Sequence, residues 1–120
     1  MYESKIYIVA PTTQYNKELG KVYAETIATF KLGYVDPLQN ATEDYKPTKY
    51  YIYADDGETE ILKDNYGDEL RELTIDQLIC HLTYTNGLAI SRKACLLLST
   101  LYAIKKTYYD GDLVCLHYGY

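Results

Sequence analysis

Asn16-Lys17-Glu18-Leu19-Gly20-Lys21-Val22-Tyr23-Ala24-Glu25-Thr26-Ile27-Ala28-Thr29-Phe30-Lys31-Leu32-Gly33 is the stretch that decides the architecture, because it fits two periods. Leu19, Val22, Tyr23, Thr26, Ile27 and Phe30 fall at the i, i+3, i+4, i+7 spacing of one helix face. Asn16 stands where a cap belongs and Gly33 where a helix commonly ends. This reading predicts a helix over 17–32. A strand is the competing reading, since Gly20 and the Thr and Val content weaken helix propensity.

The flanks are read more directly. Lys5-Ile6-Tyr7-Ile8-Val9-Ala10 is a β-branched and aromatic run, predicted as a strand and stopped by Pro11, which cannot donate to a central ladder. Residues 34–48 carry Pro37, Asn40 and Pro47 without periodicity and read as an ordered, functional loop. Tyr50–Tyr53 and Thr59–Leu62 flank Asp55-Asp56-Gly57, the signature of a hairpin with a tight reversal.

The second half is helical until its end. Thr74 and Gln77 make a capping box, and Leu73 and Leu78 sit where a hydrophobic staple belongs. Ile75, Leu78, Ile79 and Leu82 then form a buried stripe up to a turn at Asn86-Gly87. A further helix carries Ile90, Ala94, Leu97, Leu98, Leu101 and Ile104 on one face, with Lys105 and Lys106 at its negative end. The run from Leu113 to Tyr118 is apolar on both faces and reads as an interior strand. The expected fold is a two-layer α+β domain over residues 1–120: a small mixed or antiparallel sheet with three helices, in the order βαββααβ.

Composition narrows the function classes. Sixteen tyrosines stand against one phenylalanine and no tryptophan, and a tyrosine ring with its polar tip suits a contact surface. Residues 36–76 hold twelve acids against four bases, a net charge of −8, while the rest of the chain carries +3. A free nucleic-acid binder shows the opposite balance, so direct nucleic-acid binding is not expected. Cys80, Cys95 and Cys115 are an odd, widely spaced set in a chain that starts without a long apolar run, which points to a reducing cytoplasm. The apolar run Ala94–Leu98 is far too short for a membrane span.

No motif specifies a reaction. Cys115 and His117 share one side of a strand and Cys80-His81 lies on a helix, but the spacing fits no common zinc module and no oxyanion element accompanies the pair. Phosphate-cradling glycine patterns are absent. Neither a cofactor, a metal nor a catalytic residue is assigned. The pattern left is acidic and aromatic: Asp55, Asp56, Glu58 and Glu60 at the hairpin, Asp68 and Glu69 beyond it, with Tyr51, Tyr53 and Tyr66 among them.

Carboxylates in such a row can imitate phosphates and occupy the basic groove of a nucleic-acid-processing enzyme. The expectation is a non-enzymatic binding protein, similar in general physical character to the small acidic inhibitors that phages and mobile elements direct at host nucleases, restriction or CRISPR-type defences. The alternative is a small-molecule or nucleotide-sequestering protein using Arg71, Arg92 and Lys93, with a homo-oligomer allowed.

Overall fold

The computed structural model describes residues 3–33, 45–83 and 92–120. Its elements are β1 (Ser4–Asn16), β2 (Lys21–Gly33), β3 (Lys46–Pro47), β4 (Tyr50–Tyr53), β5 (Glu60–Ile61), β6 (Arg71–Leu73), α1 (Ile75–Thr83), α2 (Arg92–Thr107) and β7 (Val114–Gly119). Seven strands form one sheet in the order β3-β6-β7-β1-β2-β4-β5. The expected order βαββααβ with three helices is therefore wrong: sheet dominates the described residues, and two helices lie between β6 and β7.

The correction falls on residues 17–32, which are strand and not helix. β1 and β2 form a long antiparallel hairpin. The Asn16 signal is real but caps only the turn, its Oδ1 accepting from the N–H groups of Glu18 (3.0 Å) and Leu19 (3.2 Å). Gly20, at φ 67°, closes that turn by donating its N–H to the Asn16 carbonyl.

A register shift then disguises β2. Ile8 is opposite Ala28 and Val9 is opposite Thr26, so Ile27 is an extra residue without a counterpart, a β-bulge. The bulge reverses the phase of the strand. Ala28, Phe30 and Leu32 pack toward the helices, whereas Val22 and Ala24 pack on the other side of the sheet.

Pro11 does not end β1, which runs on to Asn16. Pairing with β7 stops at Val9, so beyond it β1 has a described neighbour only in β2, and a proline without N–H is tolerated on such an edge. Pro47 likewise sits in the short edge strand β3, opposite Arg71, where a loop was expected. Tyr34 and the Asn86-Gly87 turn lie outside the described residues.

Residues 46–53 bend the sheet into a closed curl. At one end Lys46 and Pro47 pair with β6, and Thr48 N–H donates to the Leu70 carbonyl (2.9 Å). Immediately after, the Lys49 carbonyl accepts from Val22, and Tyr50 and Tyr51 run parallel to Val22 and Tyr23. β3, the first strand of the order, is thus joined by two residues to β4, the last but one, so the sheet must curl back on itself. Inside the curl pack Tyr7, Val9, Ala24, Tyr50, Ile52, Leu70 and Leu116. Outside it, Ile6, Ile8, Leu73 and Cys115 pack against Leu78, Leu82, Leu97 and Leu101 of the two helices. Alternation along β1 therefore feeds two apolar clusters, one per face.

The helical half matches its sequence signals. Gln77 N–H donates to Thr74 Oγ1 (3.0 Å) and Thr74 N–H to Gln77 Oε1 (2.8 Å), the reciprocal capping box that starts α1. β7 lies between β6 and β1, an interior position. The β4–β5 hairpin forms with Ile52 opposite Ile61 and Tyr53 opposite Glu60. Among the described residues, no helix is long and apolar enough to cross a membrane.

Candidate functional site

Two acidic turns follow one another, each built around an aspartate that bonds its own backbone. In the β4–β5 hairpin, Asp56 Oδ1 accepts from the N–H groups of Glu58 and Thr59, both at 2.8 Å, and Oδ2 accepts from the Thr59 hydroxyl at 2.6 Å. These bonds, the Thr59 hydroxyl first, lower the Asp56 carboxyl to about 2, so it stays ionised at any physiological pH. Asp55, Asp56, Glu58 and Glu60 are all exposed. Gly57, at φ 72°, allows the reversal.

The second turn, which carries Asp68 and Glu69, is organised by Asp64, another acid of the same run. Asp64 Oδ1 accepts from the N–H groups of Tyr66 (2.8 Å) and Asp68 (3.1 Å), and its own N–H donates to the Asp68 carbonyl. The backbones of Lys63 and Glu69 pair as an isolated antiparallel bridge across the turn. Asp68 and Glu69 are exposed, and the Tyr66 ring is 51% exposed.

This turn is fastened to the last strand. Asn65 N–H donates to the Gly119 carbonyl (3.1 Å), and Gly119 N–H to Asp64 Oδ2 (3.3 Å). The Tyr118 hydroxyl donates to Asn65 Oδ1 (2.7 Å), and the Tyr66 hydroxyl to the Tyr120 carbonyl (3.3 Å). Tyr118 to Tyr120 is thus a packed strand end, and the acidic turn is a braced surface.

The other two tyrosines of the expected surface, Tyr51 and Tyr53, pack on the scaffold. Tyr51 is buried and Tyr53 half-buried, and both rings lean on Tyr23, with centroids 5.7 and 5.3 Å away. Tyr51 therefore offers no face to a partner, whereas Tyr66 does.

Arg71, Arg92 and Lys93 are dispersed. Arg71 donates to the Tyr45 carbonyl (2.8 Å) from β6, while Arg92 and Lys93 stand exposed at the start of α2. A cleft of about 670 Å³ opens where α1 begins and α2 ends, and none of these three residues lines it. Its cations are Lys46, Lys49 and Lys105, and its rings are Tyr50, Tyr108 and Tyr109. Lys46 pairs with Glu72 (3.7 Å) and Lys105 with Asp76 (2.6 Å), while Lys49 lies 5.4 Å from the Tyr50 ring centroid.

Cys115 and His117 do share one side of β7, but deep in the fold. Burial pushes the Cys115 thiol up to about 12, and burial followed by the Arg71 charge pulls His117 down to about 4. Both are neutral near pH 7, the opposite of a thiolate–imidazolium pair. Cys80 and Cys95 are exposed on the helices. Among the described residues, no three His, Cys, Asp or Glu side chains are grouped to hold a metal ion.

No family model matches this chain, and neither a curated protein nor a solved structure matches it. The functional reading rests on its own geometry.

Proposed function

We propose that the protein is a non-enzymatic binder, working in the cytoplasm, that docks its two acidic turns on a basic protein partner and blocks it. The partner class that suits a row of fixed carboxylates is a nucleic-acid-processing enzyme: a nuclease, or a restriction or CRISPR-type effector. The observation supporting this is the pinning of both turns. Asp56 and Asp64 spend their oxygens on backbone N–H groups, which fixes the loops that carry Asp55, Glu58, Glu60, Asp68 and Glu69. A preorganised surface loses less entropy on docking than a flexible one.

The test is capture from a bacterial lysate at low and moderate salt, comparing wild type with a variant carrying Asp55→Asn, Asp56→Asn, Glu58→Gln and Glu60→Gln. Asn at position 56 keeps an oxygen acceptor for the turn. A nucleic-acid enzyme retained by wild type and lost by the variant supports the reading. Equal retention by both removes the hairpin from it.

The cleft between the helix ends supports a second reading, a site for a small ring-bearing anion held by Lys49 and the tyrosines. Its volume lies in the range of small-molecule sites. Thermal-shift assays with a nucleotide panel test it. A shift lost in Lys49→Ala but kept in Arg92→Ala favours the cleft, and no shift with any nucleotide discards it.

A further inference from the structure

Three tyrosine rings converge on one ammonium group. Lys5 Nζ lies 5.5 Å from the ring centroid of Tyr7, 5.0 Å from that of Tyr118 and 5.4 Å from that of Tyr120. Each distance is within cation–π range, and several rings around one cation are the arrangement that recognises alkylated ammonium groups. The Tyr7 and Tyr118 rings meet edge to face, at 6.0 Å and 82°, so they hold one another's orientation.

The cage is braced from behind by the second acidic turn, through the Tyr118 hydroxyl on Asn65 and the Tyr66 hydroxyl on the Tyr120 carbonyl. Burial raises the hydroxyl pKa values of Tyr7, Tyr118 and Tyr120; the Asp55 charge adds to this on Tyr7 and the Glu3 charge on Tyr120, while on Tyr118 the Tyr7 and Asp64 charges add to it and Lys5 opposes it. All three acids bias the cage toward a cation.

Lys5 itself is lightly held, its Nζ donating one long hydrogen bond to the Tyr7 hydroxyl at 3.4 Å. No carboxylate lies within ion-pair distance of it among the described residues. Directly opposite on β2 stands Lys31, a like charge. The backbone of Lys5 is fixed between β2 and β7, but its four-carbon stem can rotate away without unpairing a strand. Lys5, Tyr118 and Tyr120 are only half-buried, so the cage has an open side.

We propose that Tyr7, Tyr118 and Tyr120 form a binding cage for an organic ammonium, filled by Lys5 in the free protein and by a lysine side chain of a basic partner in the complex. The partner's lysine rests on the docking reading above; the cage itself does not. Lys5 is then an internal competitor, and removing it exposes the site.

The probe is tetramethylammonium chloride, with tert-butanol as the neutral molecule of the same shape, followed by NMR on the tyrosine ring resonances. In Lys5→Ala, saturable shifts of the Tyr7, Tyr118 and Tyr120 rings are expected with a Kd on the order of 10 mM. Wild type should bind about tenfold more weakly, because Lys5 competes. Adding Tyr118→Leu to Lys5→Ala should abolish the response. A folded Lys5→Ala protein that shows no saturable response, or one that responds equally to tert-butanol, overturns the proposal. If Lys5→Ala does not fold, the wild type decides. The ring-shifted Lys5 Hε resonances must move toward solvent values as the probe is added, and their invariance sinks the cage. A positive result with an empty pull-down keeps the cage and removes only the partner assigned above.

Discussion

Ser4 Oγ and His117 Nε2 lie 2.9 Å apart, a buried hydrogen bond that ties the first residue of β1 to β7 across 113 positions of sequence. Both side chains are almost wholly enclosed. The imidazole has a polar partner here as a neutral ring, and burial, with Arg71 nearby, disfavours its charged form.

Stability should therefore fall with acid in a defined window. His117 has its folded pKa depressed to about 4 from an ordinary 6.5. Between these values the unfolded chain binds a proton that the native protein refuses, so stability declines as pH drops through the window. The full loss is about 3 kcal/mol, from roughly 1.4 kcal/mol per pKa unit. Urea unfolding at pH 7 and at pH 4.5 measures it. His117→Gln, which keeps a hydrogen-bonding group, should flatten the slope whatever its absolute stability. An unchanged slope in that variant would assign the acid sensitivity to other groups.

The cysteines should divide two to one. Cys80 and Cys95 are exposed, while Cys115 is enclosed in the cluster under the helices with its thiol pushed up to about 12. A thiol reagent at pH 8 should modify two cysteines in the native protein and the third only on unfolding. Fast modification of Cys115 in native protein, located by mass spectrometry, would show that the helix layer opens more readily than its packing implies.

Thr59 controls the charge of the hairpin tip. Its hydroxyl is the largest of the causes that hold the Asp56 carboxyl at about 2. Thr59→Val removes that donor and leaves the two backbone N–H donors, so the Asp56 pKa should move up toward 3.8 without reaching it. Carboxyl resonances followed by NMR through acid give the value directly. No movement would mean that the N–H groups alone set the carboxylate, and that the tip is rigid without its side-chain clamp.

What the sequence showed depended on whether a signal acts locally. The α1 capping box, the β4–β5 hairpin and the interior strand β7 are each specified by residues a few positions apart, and each formed as read. β3 and β6 were not legible, because two- and three-residue strands have no period and exist only through pairing with distant partners. The acidic tip was visible as composition. The cage around Lys5 was not, since register alone brings Tyr118 and Tyr120 beside Lys5 from the far end of the chain. The misreading of 17–32 has a physical source in Tyr23 and Ile27. Tyr23 is apolar because it stacks with Tyr51 and Tyr53, and Ile27 is the bulge residue, so together they completed a helical template over an alternating strand.

The bulge supplies the sharpest test of the fold. Ile27 is 55% exposed, so its side chain contributes little to either apolar cluster, and Ile27→Lys should change stability by no more than about 0.5 kcal/mol. Deleting Ile27 is a different perturbation. Thr26 would then be followed directly by Ala28, which leaves Thr26 opposite Val9 and Ala28 opposite Ile8 in regular antiparallel register. Plain alternation across that join still sends Ala24 into the curl and Phe30 toward the helices, so both apolar clusters keep their residues. The deletion should therefore leave the chain folded at 25 °C by circular dichroism and proteolysis, with only the local twist of the hairpin relaxed. A deletion variant that is unfolded would mean that the bend made by the bulge, and not only the alternation on either side of it, is needed to close the sheet around its inner cluster.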